Sequence, residues 1–190
     1  MLYRILRRIA IILCRTLYRV SVTGQVNIPE TGKVIMCSNH ISAMDCLLLA
    51  AFCKRQIFFM GKKELFEKPF LGWLLRNVGA FPVDRSTTDM KAYRHAIDIL
   101  KDEKALGIFS QGTRSQDFEN VKGGVAVFAL KSGAPVVPTG IKGAYRLFSK
   151  IHLRFGQLVS MEPFHGQKVK TELVEEVMSI IVSKVEALSK

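Results

Sequence analysis

The sequence predicts an α/β fold: a single domain with a mostly parallel or mixed sheet, flanked by helices and preceded by an amphipathic helix. Two observations lead to this prediction. Short apolar runs typical of buried strands alternate with longer segments of helical periodicity. The chain has 190 residues, of which 48% are hydrophobic, so it can form one sizeable core and is too apolar for a disordered protein.

The first 21 residues form a basic amphipathic segment, distinct from the domain expected over 22–190. On a helical wheel one side carries Leu2, Ile5, Leu6, Ile9, Ile12, Leu13, Leu17 and Val20, and the other carries Arg4, Arg7, Arg8, Arg15 and Arg19. The uninterrupted apolar stretch 9–14 is far shorter than the roughly 20 residues of a membrane-spanning helix, and no signal-peptide cleavage site follows it. We expect an interfacial helix that binds anionic lipids; a helix packed on the domain is the alternative.

The rest of the chain alternates strand and helix. A strand over Val34–Cys37 leads through a loop into a helix from Ala43 to about Lys54. The apolar run 56–61 predicts the next strand, and 62–79 a helix with a break at Pro69 and a stop at Gly79. Further strands are predicted over 80–85, 105–111 and 134–141, with one or two more in 152–161, and further helices over 87–104, 123–133 and Thr171–Ser189.

Charge and cysteines bound the possible partners. The formal net charge of +12 indicates an anionic partner: nucleic acid, an acidic membrane surface or a phosphorylated substrate. The four cysteines show neither a CxxC pair nor a Cys/His metal spacing, which favours reduced thiols in a cytosolic protein.

Polar side chains follow four of the predicted strands, where ligands of open α/β sheets bind. They are His40 and Asp45, then Lys62 and Lys63, then Asp84 and Arg85, and finally the QGTRS stretch with Gln111, Gly112, Thr113 and Arg114. Four such strand ends favour one common site. An arginine and the N–H groups of a glycine turn suit a phosphate.

His40 and Asp45 lie five positions apart, about 140° around a regular helix, so they can pair only if a helix begins between them. Ser42 as N-cap and Asp45 three residues later resemble a capping box. Asp45 then either caps the helix only or also orients His40 as a general base for a substrate hydroxyl. The chain has no G-x-S-x-G elbow, no G-x-G-x-x-G turn and no phosphate loop, which disfavours a serine acyl-enzyme and dinucleotide or NTP chemistry.

Four ordered blocks resemble the 1-acylglycerol-3-phosphate acyltransferase family of phospholipid synthesis. NHISAMD resembles its N-H-x-x-x-x-D block, GAFPVDR its G-x-F-x-V-x-R block, FSQGTRS its F-P-E-G-T-R-S block, and APVVPTGI its proline-containing block. The likeness runs from about residue 22 to 160.

The resemblance implies transfer of a fatty acyl group from an acyl carrier protein or coenzyme A thioester to the sn-2 hydroxyl of lysophosphatidate, which gives phosphatidate. It implies His40 as the base and Asp45 as its orienting partner. The phosphate would be bound by Arg85, Arg114, Lys62, Gly112 and Thr113, with support from Asn39, Gln111 and Pro138, and the backbone near Gly112 or Pro138 would stabilise the oxyanion. It calls for no metal, no cofactor and no covalent intermediate. We expect a peripheral or monotopic protein on the cytoplasmic face of the cell membrane, without a nucleic-acid partner.

Two positions depart from the family pattern. Gln111 stands where the family has Glu, and Ser110 where Pro is common. A glutamine keeps an acceptor oxygen and loses the charge, so the acceptor could be another lysophospholipid. Two other classes remain open: a non-catalytic module that binds anionic lipid or nucleic acid, and a thioesterase or lysophospholipase in which the same pair activates water.

Overall fold

The computed structural model describes residues 2–84, 86, 89–110 and 124–190. Within them the strands are β1 (Arg19–Thr23), β2 (Val34–Ser38), β3 (Ile57–Lys62), β4 (Phe81–Val83), β5 (Ala105–Phe109), β6 (Val136–Gly143) and β7 (Lys150–Phe155). The helices are α1 (Leu2–Leu17), α2 (Asp45–Phe52), α3 (Lys63–Glu67), α4 (Pro69–Asn77), α5 (Met90–Lys101), α6 (Gly124–Ser132) and α7 (Thr171–Ser189).

The strands form one mixed sheet in the order β1-β7-β6-β2-β5-β3-β4. All neighbours are parallel except β6 and β7, which are antiparallel. The predicted α/β domain with a mostly parallel or mixed sheet is therefore confirmed. The 152–161 stretch contributes one strand, β7, which forms the single antiparallel pairing of the sheet, with β6.

Helices cover both faces of the sheet, so the central strand β2 is buried along its whole length. Ile35 and Cys37 point into a core shared with α5, α6 and α7, and Val34 and Met36 into a core shared with α1 and α2. This alternation along one strand makes a three-layer domain with two cores.

Most of the predicted helices are confirmed. α7 has the predicted bounds, Pro69 begins α4 after the predicted break, and Gly133 follows α6 with a positive φ of 65°. α2 is shorter than predicted at both ends, because it begins at Asp45 rather than Ala43 and ends at Phe52 rather than about Lys54.

The predicted helix over the first 21 residues is wrong at its end. α1 stops at Leu17, and Arg19–Thr23 forms β1, which pairs in parallel with β7. The reason is the alternating β-branched sequence of this stretch, which suits the edge of a sheet better than a helix end.

α1 packs on the domain through a narrow face of the helix. Ala10 and Cys14 are buried, the Tyr3 hydroxyl donates to the Ala50 carbonyl, and Arg7 Nε donates to the Ala51 carbonyl at 3.0 Å. The adjacent apolar face is exposed, and it consists of Leu2, Ile5, Ile9, Ile12 and Leu13. In the part of the chain that the structure describes, no helix is long and apolar enough to cross a membrane.

The topology determines which chain segments meet at one edge of the sheet. Strands β2 to β6 are mutually parallel, so their carboxyl ends lie along the same edge. β7 runs in the opposite direction and β1 is parallel to it, so both begin at this edge. The last turn of α1 therefore approaches the edge at which the polar residues after the strands gather.

Candidate active site

His40 and Asp45 form a hydrogen-bonded pair at the carboxyl end of the central strand. His40 lies in the loop after β2, and its Nδ1 is 2.8 Å from Oδ2 of Asp45. Asp45 is fully buried, whereas 39% of the His40 side chain is exposed. Nδ1 donates to the carboxylate, so Nε2 is left as the ring nitrogen with a free lone pair.

Asp45 organises the loop as well as the imidazole. Its Oδ2 also accepts the backbone N–H groups of Ile41 at 2.7 Å and Ser42 at 2.8 Å. Ser42 is not the predicted N-cap: Met44 precedes the helix, and the Ser42 hydroxyl accepts the Met44 N–H. Because the helix starts at Asp45 itself, the carboxylate can both bond the N–H groups before the helix and hold His40.

An aromatic side chain packs against the face of the His40 ring. The Phe109 ring stacks on His40, with centroids 4.1 Å apart and planes 21° apart. Phe59 stacks on Phe109 in turn, at 6.1 Å and 14°. Gly107 makes room for Phe59, since a Cβ there would lie 2.3 Å from the Phe59 ring. The glycine in β5 thus allows the stack that ends on His40.

Asn39 connects the His40 loop to β6. Its side-chain amide donates to the Ile141 carbonyl and its side-chain oxygen accepts the Ile141 N–H, both at 2.8 Å. These two bonds continue the pairing of β2 with β6 one step beyond the regular register. Asn39 therefore fixes the backbone from which His40 projects.

The predicted cations after β3 lie at the same edge. The Lys62 ammonium is 3.3 Å from Glu64 and more than half exposed, and Lys63 pairs with Asp84 at 2.5 Å. The Lys63 ammonium, with Ser86, holds the pKa of the Asp84 carboxyl well below its usual range. One strand separates β2 from β3, so the backbone at Lys62 lies about 10 Å across the sheet from that at His40.

Several predicted site residues lie outside the described residues: Arg85, Gln111, Gly112, Thr113 and Arg114. Ser110 is the last described residue before 111–123, and its N–H donates to the Ser38 carbonyl at 2.8 Å. The end of β5 is therefore next to the strand that leads into His40.

Pro138 lies inside the sheet rather than beyond a strand end. It is buried in β6, opposite Cys37, and its carbonyl accepts the Gly156 N–H at 2.7 Å. A proline has no N–H to offer an oxyanion, so a donor in this region has to come from a neighbouring residue.

Sequence reasoning missed Tyr145, which also contacts the pair. Its hydroxyl donates to Oδ1 of Asp45 at 2.6 Å. Burial and the bond to Asp45 raise the pKa of Tyr145 far above its ordinary value, so the hydroxyl keeps its proton. Tyr145 follows β6, and the rule that finds His40 after β2 would have found it had it been applied to this fifth parallel strand.

Chemically, an imidazole held by a buried carboxylate at the edge of an α/β sheet can act as a base. The Asp45 carboxylate stabilises the imidazolium that forms when Nε2 takes a proton. No group of three or more His, Cys, Asp or Glu side chains within the described ranges could hold a metal ion.

The chain is similar to one described protein family and to several named proteins. The family model described as Acyltransferase matches residues 19–142. A 1-acyl-sn-glycerol-3-phosphate acyltransferase of Bacillus subtilis is 34% identical over 77% of this chain and 74% of its own length. The protein of the same name from Streptococcus pneumoniae is 28% identical over 90% of this chain and 68% of its own.

One solved structure is similar to almost the whole chain. The crystal structure of the 1-acyl-sn-glycerophosphate (LPA) acyltransferase PlsC from Thermotoga maritima is 27% identical in sequence and superimposes with a TM-score of 0.74. The match covers 98% of this chain and 79% of that one. The likeness therefore extends over α1 as well as the sheet.

Proposed function

Since the chain belongs to the acyltransferase family, we propose that it transfers a fatty acyl group to the sn-2 hydroxyl of 1-acylglycerol-3-phosphate. The donor is an acyl thioester of acyl carrier protein or coenzyme A, and the products are phosphatidate and the free thiol. The observation that carries this proposal is the His40 pair, whose partner Asp45 is fully buried and whose Nε2 is left for substrate. The names of the relatives support the choice of acceptor.

In the proposed reaction His40 is the general base. Nε2 takes the proton of the sn-2 hydroxyl as the hydroxyl oxygen attacks the thioester carbonyl. The new O–C bond forms, the C–S bond breaks as the tetrahedral intermediate collapses, and the imidazolium returns the proton to the sulfur. Asp45 keeps the ring in the required tautomer throughout. The acyl group passes directly between substrates, so no covalent enzyme intermediate, metal or cofactor is part of the proposal.

The phosphate of the acceptor is proposed to bind among the cations that follow the strands. Lys62 supports this proposal, because its ammonium is exposed beside the sheet edge and, within the described ranges, forms an ion pair with Glu64 alone. Arg85, Arg114, Gly112 and Thr113 are the remaining proposed contacts, with Asn39 and Gln111 as supporting residues. An arginine can bind a phosphate through two parallel hydrogen bonds, which a general surface charge does not require.

The lysolipid is expected to reach this site from a membrane surface. The exposed face of α1 is apolar, and Ile12 is 66% exposed although it is an isoleucine. Leu147 and Phe148 are also exposed, in the loop between β6 and β7, and the Phe148 N–H donates to the Leu17 carbonyl at the end of α1. An apolar face flanked by arginines suits anionic lipid headgroups. We therefore propose peripheral or monotopic association with the cytoplasmic face of the cell membrane.

The test is an assay of the purified protein with acyl carrier protein and coenzyme A thioesters against a panel of lysophospholipids, with products identified by mass spectrometry. We expect phosphatidate from 1-acylglycerol-3-phosphate, and a fall of about 10² to 10⁴-fold in kcat for His40→Ala. Free fatty acid formed without a lysolipid would instead indicate a thioesterase. If only a different lysophospholipid were turned over, the acceptor would not be 1-acylglycerol-3-phosphate, and the uncharged Gln111 would be explained by that other acceptor.

A further inference from the structure

We propose that Tyr145 is a positioning residue for the His40–Asp45 pair, which it orients through a hydrogen bond to Oδ1 of the Asp45 carboxylate. The proposal rests on the proposed function, in which His40 is the base. Tyr145 lies 100 positions from Asp45 in the chain, and its hydroxyl is 2.6 Å from Oδ1. Tyr145 lies outside the four sequence blocks that resemble those of the family.

The two carboxylate oxygens of Asp45 have separate sets of donors. Oδ2 accepts His40 Nδ1 and two backbone N–H groups. Among the described residues, the donor to Oδ1 is the Tyr145 hydroxyl. Without that donor one oxygen of a fully buried charge would lose its compensating bond, which is costly in an apolar environment.

The same bond determines how the carboxylate is rotated. Donors at both oxygens fix the plane of the carboxyl group, and the plane decides where the Nδ1–H of His40 has to point. If Oδ1 is free, the group can turn about its Cβ–Cγ bond and the imidazole follows. Nε2 would then spend less time aligned with the substrate hydroxyl.

Tyr145 is itself held at several points. Tyr18 packs its ring edge-on against it, with centroids 5.4 Å apart at 86°. The loop is tied to α1 by the bond from the Phe148 N–H to the Leu17 carbonyl at 2.7 Å, and to β1 by the bond from the Arg19 N–H to the Ser149 carbonyl at 2.9 Å. These contacts hold the loop and the Tyr145 ring in place, so the hydroxyl lies within hydrogen-bond distance of Asp45.

The test compares Tyr145→Phe with the matched control Tyr18→Phe. Each change removes one hydroxyl from the same aromatic pair, but only the first removes a donor to Asp45. We expect kcat to fall about tenfold in Tyr145→Phe, which corresponds to about 1.4 kcal/mol of transition-state stabilisation. KM for both substrates should stay within about twofold, and Tyr18→Phe should resemble the wild type.

A double substitution tests whether Tyr145 acts through His40. In the His40→Ala background, Tyr145→Phe should cause no further loss of the residual rate, because the residue that it positions is absent. An equal loss with and without His40 would overturn the proposal. A wild-type kcat in Tyr145→Phe, or loss of the fold in this variant but not in Tyr18→Phe, would also overturn it.

One measurement does not depend on the reaction. The Nδ1 proton of His40, assigned by its disappearance in His40→Ala, should shift in the ¹H NMR spectrum of Tyr145→Phe and stay in place in Tyr18→Phe. A shift without acyl transfer in the wild type would contradict the proposed function and leave the positioning role intact. An unchanged resonance in Tyr145→Phe would contradict the positioning role itself.

Discussion

The ring of Phe109 lies almost flat on the imidazole of His40, with 4.1 Å between their centroids. Asp45 restrains one ring nitrogen, and Phe109 restrains the plane of the ring. In the proposed reaction His40 meets a hydroxyl at hydrogen-bond distance, and both restraints would favour that step, because small misplacements lower the rate.

Phe109→Leu should therefore lower kcat more than it lowers stability. Leucine keeps an apolar contact but removes the stacking, and aromatic contacts contribute about 0.5–1.5 kcal/mol, so we expect about a threefold to tenfold fall in kcat. Phe128→Leu is the control, since Phe128 stacks on Tyr93 in the other core. That variant should lose stability and keep its kcat. Equal kcat values in the two variants would show that the stack on His40 has no catalytic effect.

Asp45→Asn should fold and lose most of its activity. Two backbone N–H groups donate to Oδ2 and cannot accept, so the amide oxygen has to take that position and the NH₂ group that of Oδ1, where the Tyr145 hydroxyl can accept. The amide oxygen then stays on His40 Nδ1 as a neutral acceptor. We expect kcat to fall by roughly 10²-fold, less than in His40→Ala, because the imidazolium loses its charged partner. A loss of stability of about 1 kcal/mol with unchanged kcat of the folded protein would reduce Asp45 to a helix cap.

The sequence was sufficient to predict the elements whose periodicity is strong and the strand ends that meet. The bounds of α7 and the break at Pro69 follow from local rules, and the common edge follows from parallel strands. The capping and orienting roles of Asp45 looked like alternatives in the sequence. In the structure the carboxylate bonds the N–H groups of Ile41 and Ser42, which precede the helix, and also holds His40, while the helix has no side-chain cap.

The remaining features depend on contacts between distant segments. Phe109 reaches the pair from β5, and nothing in its neighbouring residues distinguishes it from a core aromatic. Tyr145 reaches the pair from the loop after β6, and only its position after a parallel strand marks it in the sequence. β1 was missed because its alternation is only five residues long and continues directly from a helix. The face by which α1 packs was also unpredictable, since Arg7 lies on it and points to a carbonyl of α2.

Lys62→Ala should raise the KM for lysophosphatidate about tenfold, as expected for a lost charge-assisted hydrogen bond, and should leave the KM for the thioester unchanged. Lys104→Ala is the control, because Lys104 also pairs with an acidic neighbour but precedes β5, at the opposite edge of the sheet. Inhibition by glycerol 3-phosphate should weaken in Lys62→Ala only. The same pattern is expected for Arg85→Ala and Arg114→Ala. Equal effects on both substrates would move these residues away from the phosphate.

The buried thiols should make the fold sensitive to alkali. Burial raises the pKa of Cys37 to about 12, and it also raises the pKa of Cys14 and Cys53. A raised native pKa contributes stability below the unfolded value, about 8.5, and this contribution is lost as the pH rises, because only the unfolded thiol ionises. For Cys37 the free energy of unfolding should fall by about 1.4 kcal/mol per pH unit between its unfolded and its native pKa, and Cys14 and Cys53 should act in the same direction.

Urea unfolding under reducing conditions at pH 7, 8.5 and 10 measures this loss. Cys37→Ala should show a shallower decline than the wild type between pH 8.5 and 10. Val34→Ala, a change on the same buried strand without a titrating group, should lower the curve by a similar amount at every pH. Parallel curves for the wild type and Cys37→Ala would contradict the role of the thiol.

The exposed face of α1 gives the last prediction. Replacing Ile5, Ile9 and Ile12 together by serine should release the protein from vesicles that contain anionic lipid and leave its thermal stability almost unchanged, because these side chains face away from the domain. Inserting one isoleucine side chain into lipid is worth about 1.5–3 kcal/mol, so the triple change removes several kcal/mol of binding.

Ala10→Leu, on the packed face, should do the opposite: it overfills the contact with α2 and destabilises the fold by about 1–3 kcal/mol, while the folded fraction still binds vesicles. Co-sedimentation with vesicles at two salt concentrations separates the contributions, since attraction of the arginines is screened over about 10 Å at 0.1 M salt and apolar insertion is not. Unchanged binding by the triple variant would show that α1 does not contact the membrane through this face.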